Sequence, residues 1–317
     1  MRNRILEFCH SPVRLSVRNA QLVIHRAEVA EVTMPVRDIA VIVAAQPALS
    51  YSQAVLSELL DNGGVFIVCN QKRLPTGMLL PLEAHGTQTA HFHSQLKLGV
   101  ARQKQLWKSV VQSRIAMQAM LLVTETGTDF GLTKLIRKVR TGDVTNVEAT
   151  AASRYWKALF GSTFRRDRGH EGINGLLNYG YAVLRGIVAR SLCAAGLHPT
   201  LGIHHHNQYN AWCLADDLME PYRSVIDRTV YRELPQAAEQ DSIKGPARQS
   251  VLQALLGHVD IGDEVRSIFD AVNRSAQSLK AAICRGKGEL IFPEGFADVS
   301  TIDTDIGVQC HVVDGDV

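Results

Sequence analysis

The sequence predicts an α+β fold in two parts, a small β-rich N-terminal domain over residues 1–85 and a larger all-α domain over residues 86–317. Three observations lead there. A chain of 317 residues is longer than one hydrophobic core usually serves. Its first 85 residues hold short β-rich runs with period-two alternation. From about residue 90 the apolar spacing lengthens to three and four over long stretches, as in helices.

In chain order, "VRLSVRNAQLVIHR" alternates apolar and polar residues around a turn signal at Asn19, and "DIAVIVAA" is a short β run bounded by Pro and Gly signals. "LSYSQAVLSELLDNGG" then reads as a helix, with Ser50 or Ser52 to cap it, apolar spacing at Val55, Leu56, Leu59 and Leu60, and a stop at Gly63. "GGVFIVC" is the next strand, and "PLEAHGTQT" joins the two domains. Four helical segments follow: "SQLKLGVARQKQLWKSVVQSRIAMQAMLL", "NVEATAASRYWKALFG", "INGLLNYGYAVLRGIVARSLCAAGL" and "ADDLMEPYRSVIDRTVYREL". There is no internal repeat, heptad array or low-complexity tract.

With 46% hydrophobic and 21% charged residues and a net charge of +3, the whole-chain balance points neither to disorder nor to a polyanion binder. Its distribution says more. Between Lys97 and Arg168 stand 14 Lys and Arg against 5 acids, a segment suited to a polyanion. After Lys287 the chain carries acids and no Lys or Arg, which reads as a solvated or partner-facing tail. The six cysteines lack CxxC pairing and read as reduced thiols of a cytosolic protein. No apolar run approaches the roughly 18 residues of a membrane span, and the N-terminus lacks a leader pattern. The expectation is a cytoplasmic protein with no membrane partner.

Three constellations carry chemistry. In "LGIHHHNQYNAWCLADDLMEPYR", Asp217 and Glu220 stand at i and i+3 on a helix, which points both carboxylates along one face. A loop bearing His204 and His205 folded over that face would gather imidazole and oxygen donors around one divalent cation, Mg²⁺ or Mn²⁺ by donor type, with His206 a bystander. The plainer alternative is a His loop capping a helix whose acids complement its dipole. The second constellation is Glu148 in the first turn of a small-residue helix, followed by Arg154 and Lys157. A carboxylate to hold metal, beside cations for flanking phosphates, is what a phosphodiester site needs. Against it, an acid in a first turn is ordinary dipole complementation. The third is the loop carrying Arg165, Arg166 and Arg168, ahead of a helix with Asn174 and Asn178 on one face. The arginines suit phosphates or solvent equally, and the asparagines either orient site groups or satisfy backbone.

"VEATAASRYW", "INGLLNYGYAVLR" and "LGIHHHNQYNAWCLADDLMEPYR", in this order after "VRLSVRNAQLVI", "MPVRDIAVIVA" and "GVFIVCNQKRLPTG", resemble the CRISPR-associated spacer-integration endonuclease family. The wording of "LGIHH" and "ADDLMEP" is most similar to its branch beside single-protein effector nucleases (type II). The resemblance implies a metal-dependent DNA endonuclease and integrase that inserts spacer DNA by 3′-hydroxyl attack on a repeat-end phosphodiester. It places the metal ligands and catalytic residues at Glu148, His205 and Glu220, with Asp217 as a nearby second acid and His204 as the alternative register. It implies Mg²⁺ or Mn²⁺ as cofactor, and DNA contacts by Arg154, Lys157, Arg165, Arg166 and Arg168, with Asn174 and Asn178 in support. The implied partners are duplex DNA with 3′ overhangs, CRISPR repeat DNA, and a second copy of the chain in a homodimer. A small CRISPR-associated partner dimer would complete a heterohexamer, and an effector nuclease and a DNA-end-binding accessory protein stay open as further partners. The N-terminal domain is then expected to dimerise and the helical domain to be catalytic. Two other readings stand beside this one: a non-catalytic DNA-binding assembly subunit, and a zinc hydrolase built on His204, His205 and His206.

Overall fold

The computed structural model describes residues 3–27, 29–81, 83–167, 172–237 and 245–297, and the chain parts into two units between Ala84 and His85. The first unit holds β1 (Arg4–Phe8), β2 (Arg14–Arg18), β3 (Gln21–Arg26), β4 (Val29–Pro35), β5 (Ile39–Ala44), β6 (Ser50–Tyr51), helix α1 (Gln53–Asp61), β7 (Val65–Cys69) and β8 (Pro75–Leu79). One sheet has the order β1-β5-β7-β8, parallel except for the last pair, and the other has the order β4-β3-β2-β6. "IAVIVA" of β5 is buried at all but its last position, the near-continuous apolar run of a strand covered on both faces. Asn19 and Ala20 turn β2 into β3 with φ of 52° and 57°, the left-handed pair that matches the strands' twist. Val55 and Leu59, one turn apart on α1, pack into the core with Leu6, Leu15, Ile24 and Phe66.

The second unit comprises α2 (Gln88–Leu96), α3 (Val100–Thr126), α4 (Leu132–Ile136), α5 (Val147–Phe160), α6 (Ile173–Ala194), α7 (Cys213–Met219), α8 (Arg223–Ala237), α9 (Gly245–Leu255) and α10 (Ile268–Cys284). α6 is apolar nearly all round and packs against α7, α8, α9 and α10; α3 packs against α4, α5, α7 and α8. Gly180 permits close approach of α8 and α9, since a Cβ there would lie 2.5 Å from Ile226 Cγ2 and 2.8 Å from Val251 Cγ1.

Three details differ from the sequence expectation. The first long segment breaks into α2 and α3, with Gly99 in an extended conformation ahead of Val100. "ADDLMEPYRSVIDRTVYREL" is α7, a single 3-10 turn over Glu220–Tyr222, then α8; Pro221 has no N–H to continue the α ladder. The unit also contains a small antiparallel sheet of β9 (His258–Ile261), β10 (Glu264–Ser267) and β11 (Gly295–Phe296), so it is helical without being purely so. Its strands are too short for periodicity to reveal, yet Val259 and Ile261 are fully buried. Among the described residues no helix is long and apolar enough to cross a membrane.

Candidate active site

Glu148 begins in the capping of α5. The buried carboxylate of Asp143 accepts the N–H groups of Val147 and Glu148, both at 2.9 Å, and so satisfies the first donors of the helix. Glu148 is thereby aimed toward α3, where the Arg114 guanidinium bonds its Oε1 and lies 3.1 Å from Glu220 Oε2. Glu220 sits in the 3-10 turn after α7, and its other oxygen is 2.9 Å from Arg223 Nη2. Two carboxylates 72 positions apart thus share one buried cation. Burial pushes the Glu148 carboxyl above the ordinary carboxylate range; Arg114 opposes that and Glu220 adds to it. Burial alone would lower Arg114, but Glu220 and then Glu148 outweigh it and hold the guanidinium charged.

The histidine loop is tied to α7 by Asp217, which is wholly buried. One of its oxygens accepts the N–H of Ile203 at 2.7 Å and of His204 at 3.0 Å; the other accepts the N–H of His205 at 3.3 Å and lies 2.6 Å from His205 Nδ1. Gly202 makes the approach possible, because a Cβ there would lie 2.3 Å from the His205 carbonyl and 3.1 Å from Asp217 Oδ2. With Nδ1 engaged, Nε2 is the ring nitrogen of His205 left to act as a ligand. The hydrogen bond that His205 donates to the Asp217 carboxylate raises its pKa against the effect of burial. His204 does something else: its ring lies flat on buried Trp107, centroids 4.0 Å apart at 2°, and burial lowers its pKa. The adjacent Asp216 holds Arg185 at 2.6 Å and Asn210 at 2.8 Å.

Behind the acids lies a buried network. Tyr155 donates to Asp227 at 2.7 Å, Tyr181 donates to its other oxygen, and the guanidiniums of Arg223 and Arg166 lie over the Tyr181 ring at 4.8 and 5.3 Å. Burial pushes Asp227 up to about 6, against the pull of the two tyrosines and then Arg223 and Arg166. Arg166 also donates to Asn174 at 2.8 Å and Asn178 at 2.6 Å, so both asparagines hold this arginine in place. Asn174 further accepts the Asp167 N–H and donates to the Arg165 carbonyl. Among the anticipated phosphate ligands, Arg154, Lys157 and Arg165 are exposed, and Arg165 folds onto the carbonyls of Ser162 and Phe164. Arg168 and the acidic tail beyond residue 297 lie outside the described residues.

The structure therefore brings Glu148 and Glu220 together and turns Asp217 away from them, into the loop, as the partner of His205. Sequence reasoning missed Arg114, Trp107, Asp143, Arg223 and Asp227. Arg114 had a legible signal, since it falls in the buried row Val110, Arg114, Gln118, Leu121 of α3, where an arginine requires an internal acid.

Among the described residues no three of His, Cys, Asp and Glu converge closely enough to hold an ion unaided; Arg114 stands between the two acids. The donor set nonetheless suits a hard divalent cation. Glu220 Oε2 is buried without a hydrogen bond, the 3.1 Å contact with Arg114 being poorly directed, and Glu148 and His205 supply a further carboxylate and an oriented imidazole. A zinc centre of three histidines does not suit this loop: the His204 and His205 rings stand at 81°, one on Trp107 and the other on Asp217.

The family model described as CRISPR associated protein Cas1 matches residues 9–242. The CRISPR-associated endonuclease Cas1 of Neisseria meningitidis serogroup C (strain 8013) is 33% identical over 285 residues, covering 89% of this chain and 93% of that protein. Among solved structures, a casposase bound to integration product superposes with a TM-score of 0.77 at 17% identity, over 96% of this chain and 97% of that one. A Cas6-RT-Cas1–Cas2 complex matches with a TM-score of 0.69 at 17% identity, over 90% of this chain and 35% of that one.

Proposed function

The chain belongs to the Cas1 family of CRISPR-associated proteins, and from that premise we propose that Glu148, His205 and Glu220 form the centre of a metal-dependent DNA endonuclease and integrase that inserts spacer DNA into a CRISPR array. The observation that carries the reading is the meeting of Glu148 and Glu220 around a single positive charge, beside an imidazole that Asp217 orients. Mg²⁺ or Mn²⁺ bound by the three residues supplies Lewis-acid activation of a hydroxyl and charge neutralisation at phosphorus. The protein's own groups prepare that centre. Asp217 fixes the His205 tautomer, Arg223 orients Glu220, and Asp143 sets the first turn of α5.

The reaction exchanges one phosphodiester for another: a DNA 3′-hydroxyl forms a bond to a repeat-end phosphorus while the existing P–O bond to the neighbouring nucleotide breaks. No high-energy cofactor and no covalent protein intermediate are required. With water in place of the hydroxyl the same centre hydrolyses DNA. Exposed Arg154, Lys157 and Arg165 support binding of duplex DNA with 3′ overhangs and of repeat DNA; Arg166, engaged by Asn174 and Asn178, serves the framework of the site. The family resemblance and the Cas1–Cas2 neighbour support a small CRISPR-associated partner dimer and a homodimer of this chain.

The test is strand transfer of a labelled duplex with 3′ overhangs into a supercoiled plasmid carrying a repeat, with the small partner present, in Mn²⁺, Mg²⁺ or EDTA. Glu148→Ala, His205→Ala and Glu220→Ala are each expected to reduce joining by about 100-fold or more while DNA binding persists, and His204→Ala is expected to reduce it less. Undiminished joining in Glu148→Ala or Glu220→Ala would instead return the protein to a non-catalytic assembly role.

A further inference from the structure

We propose that a basic pocket between α4 and α5 is a second DNA site, which grips non-scissile backbone phosphates of the strand presented to Glu148 and Glu220. This rests on the DNA reading above. The pocket has a volume of about 590 Å³, and four cations line it: Arg137, Lys138 and Arg140 from the segment after α4, and Arg154 from α5. All four are exposed, and among the described residues none of their side chains has an ion-pair or hydrogen-bond partner. Other arginines of the unit are paired, as with Arg228 and Arg232 on Glu125 and Arg185 on Asp216.

No carboxylate lines the pocket. The neighbouring acids are already spent, Asp129 on the N–H groups of Gly131 and Thr133, Asp143 on those of Val147 and Glu148, and Glu148 on Arg114. Four like charges around one concavity repel one another unless an anion enters. Thr145 and Thr150 add hydroxyls at its wall, and Leu135 and Val147 lie buried beneath, giving donors for phosphate oxygens over an apolar floor on which a sugar can rest.

Geometry selects the backbone of a DNA strand over an isolated anion. The space exceeds that of one phosphate, and the cations are spread over two elements. Val147, Thr150 and Arg154 occupy one face of α5 at i, i+3 and i+7, while Glu148 projects from the adjoining face toward α3. Arg154 is six positions along α5 from Glu148, a rise of about 9 Å, comparable to two or three base steps of about 3.4 Å each. The helix that carries an acid of the reaction centre thus also carries a grip for phosphates a few nucleotides away.

The experiment measures equilibrium binding of the full-length protein to a labelled duplex of arbitrary sequence, in EDTA, between about 50 and 200 mM salt. The variant Arg137→Gln/Lys138→Gln/Arg140→Gln/Arg154→Gln is compared with the charge-matched variant Arg14→Gln/Lys72→Gln/Arg285→Gln/Lys287→Gln, whose sites are exposed elsewhere. Loss of two phosphate contacts should make the slope of log K against log salt shallower by about 2 in the pocket variant, with the control close to wild type. An unchanged slope, or an equal change in the control, overturns the proposal. So does saturable binding of inorganic pyrophosphate that the pocket variant loses while its DNA slope stays the same, which would mark a site for a small free anion. Because the readout is taken without metal, it is separate from the chemistry: a protein that grips DNA here yet joins nothing in Mn²⁺ or Mg²⁺ would sink the integrase reading and leave the pocket standing.

Discussion

Asp217 and Glu220, three positions apart, have become different instruments. Asp217 spends both oxygens on the histidine loop, whereas Glu220 keeps a buried oxygen without a hydrogen bond. In the proposed centre a metal would compete with the proton of His205, whose pKa Asp217 raises above the ordinary 6.5. Mn²⁺ affinity should therefore fall with decreasing pH, beginning above 6.5. In Asp217→Asn the onset should move to lower pH as the imidazole loses its anionic partner, and affinity at neutral pH should drop by about 10- to 100-fold. Calorimetric titration of Mn²⁺ across pH reads both effects, and an onset that did not move would make Asp217 a loop anchor alone. The sequence made Glu148, Glu220 and the histidines legible because each stands in a short pattern of its own. It marked Arg114 only by its place in a buried row of α3, and it concealed Arg223 and the identity of both arginines' partners, since ion pairs are made between segments.

At the level of elements, α6 shows how packing reverses a local preference. Gly→Ala in a helix interior ordinarily stabilises by roughly 0.5–1 kcal/mol. At Gly180 the added methyl would meet side chains of α8 and α9 below normal contact distance, so Gly180→Ala should destabilise by about 1–3 kcal/mol. Urea unfolding gives the sign directly, and a stabilised variant would show that α8 and α9 can retreat. The hairpin at Asn19, the strand "IAVIVA" and the helices α5 and α6 were legible because pattern, turn chemistry and burial agree there. The break at Gly99 was missed because apolar periodicity runs through it, and the β9–β10–β11 sheet because four-residue strands are shorter than any periodic window, whereas Pro221 is itself a legible stop.

For the whole molecule, the strands β1 to β8 and the proposed centre fall in different units. Every residue of the proposed centre lies after His85, and we propose the N-terminal unit as the dimerisation module. A chain beginning at residue 85 should then sediment as a monomer where the full chain sediments as a dimer; a truncated chain that remained dimeric would move the interface into the helical unit. The Arg114 contact bears on the whole molecule in another way. In a zinc finger the metal supplies the free energy of folding, and the apoprotein is a coil. Here the carboxylates of α5 and the 3-10 turn already have a resident guanidinium within the core, so α3, α5 and α7 can assemble around an internal counter-ion. Folding and metal loading become separable events in the proposed centre: the helices can reach their finished arrangement before any cation binds.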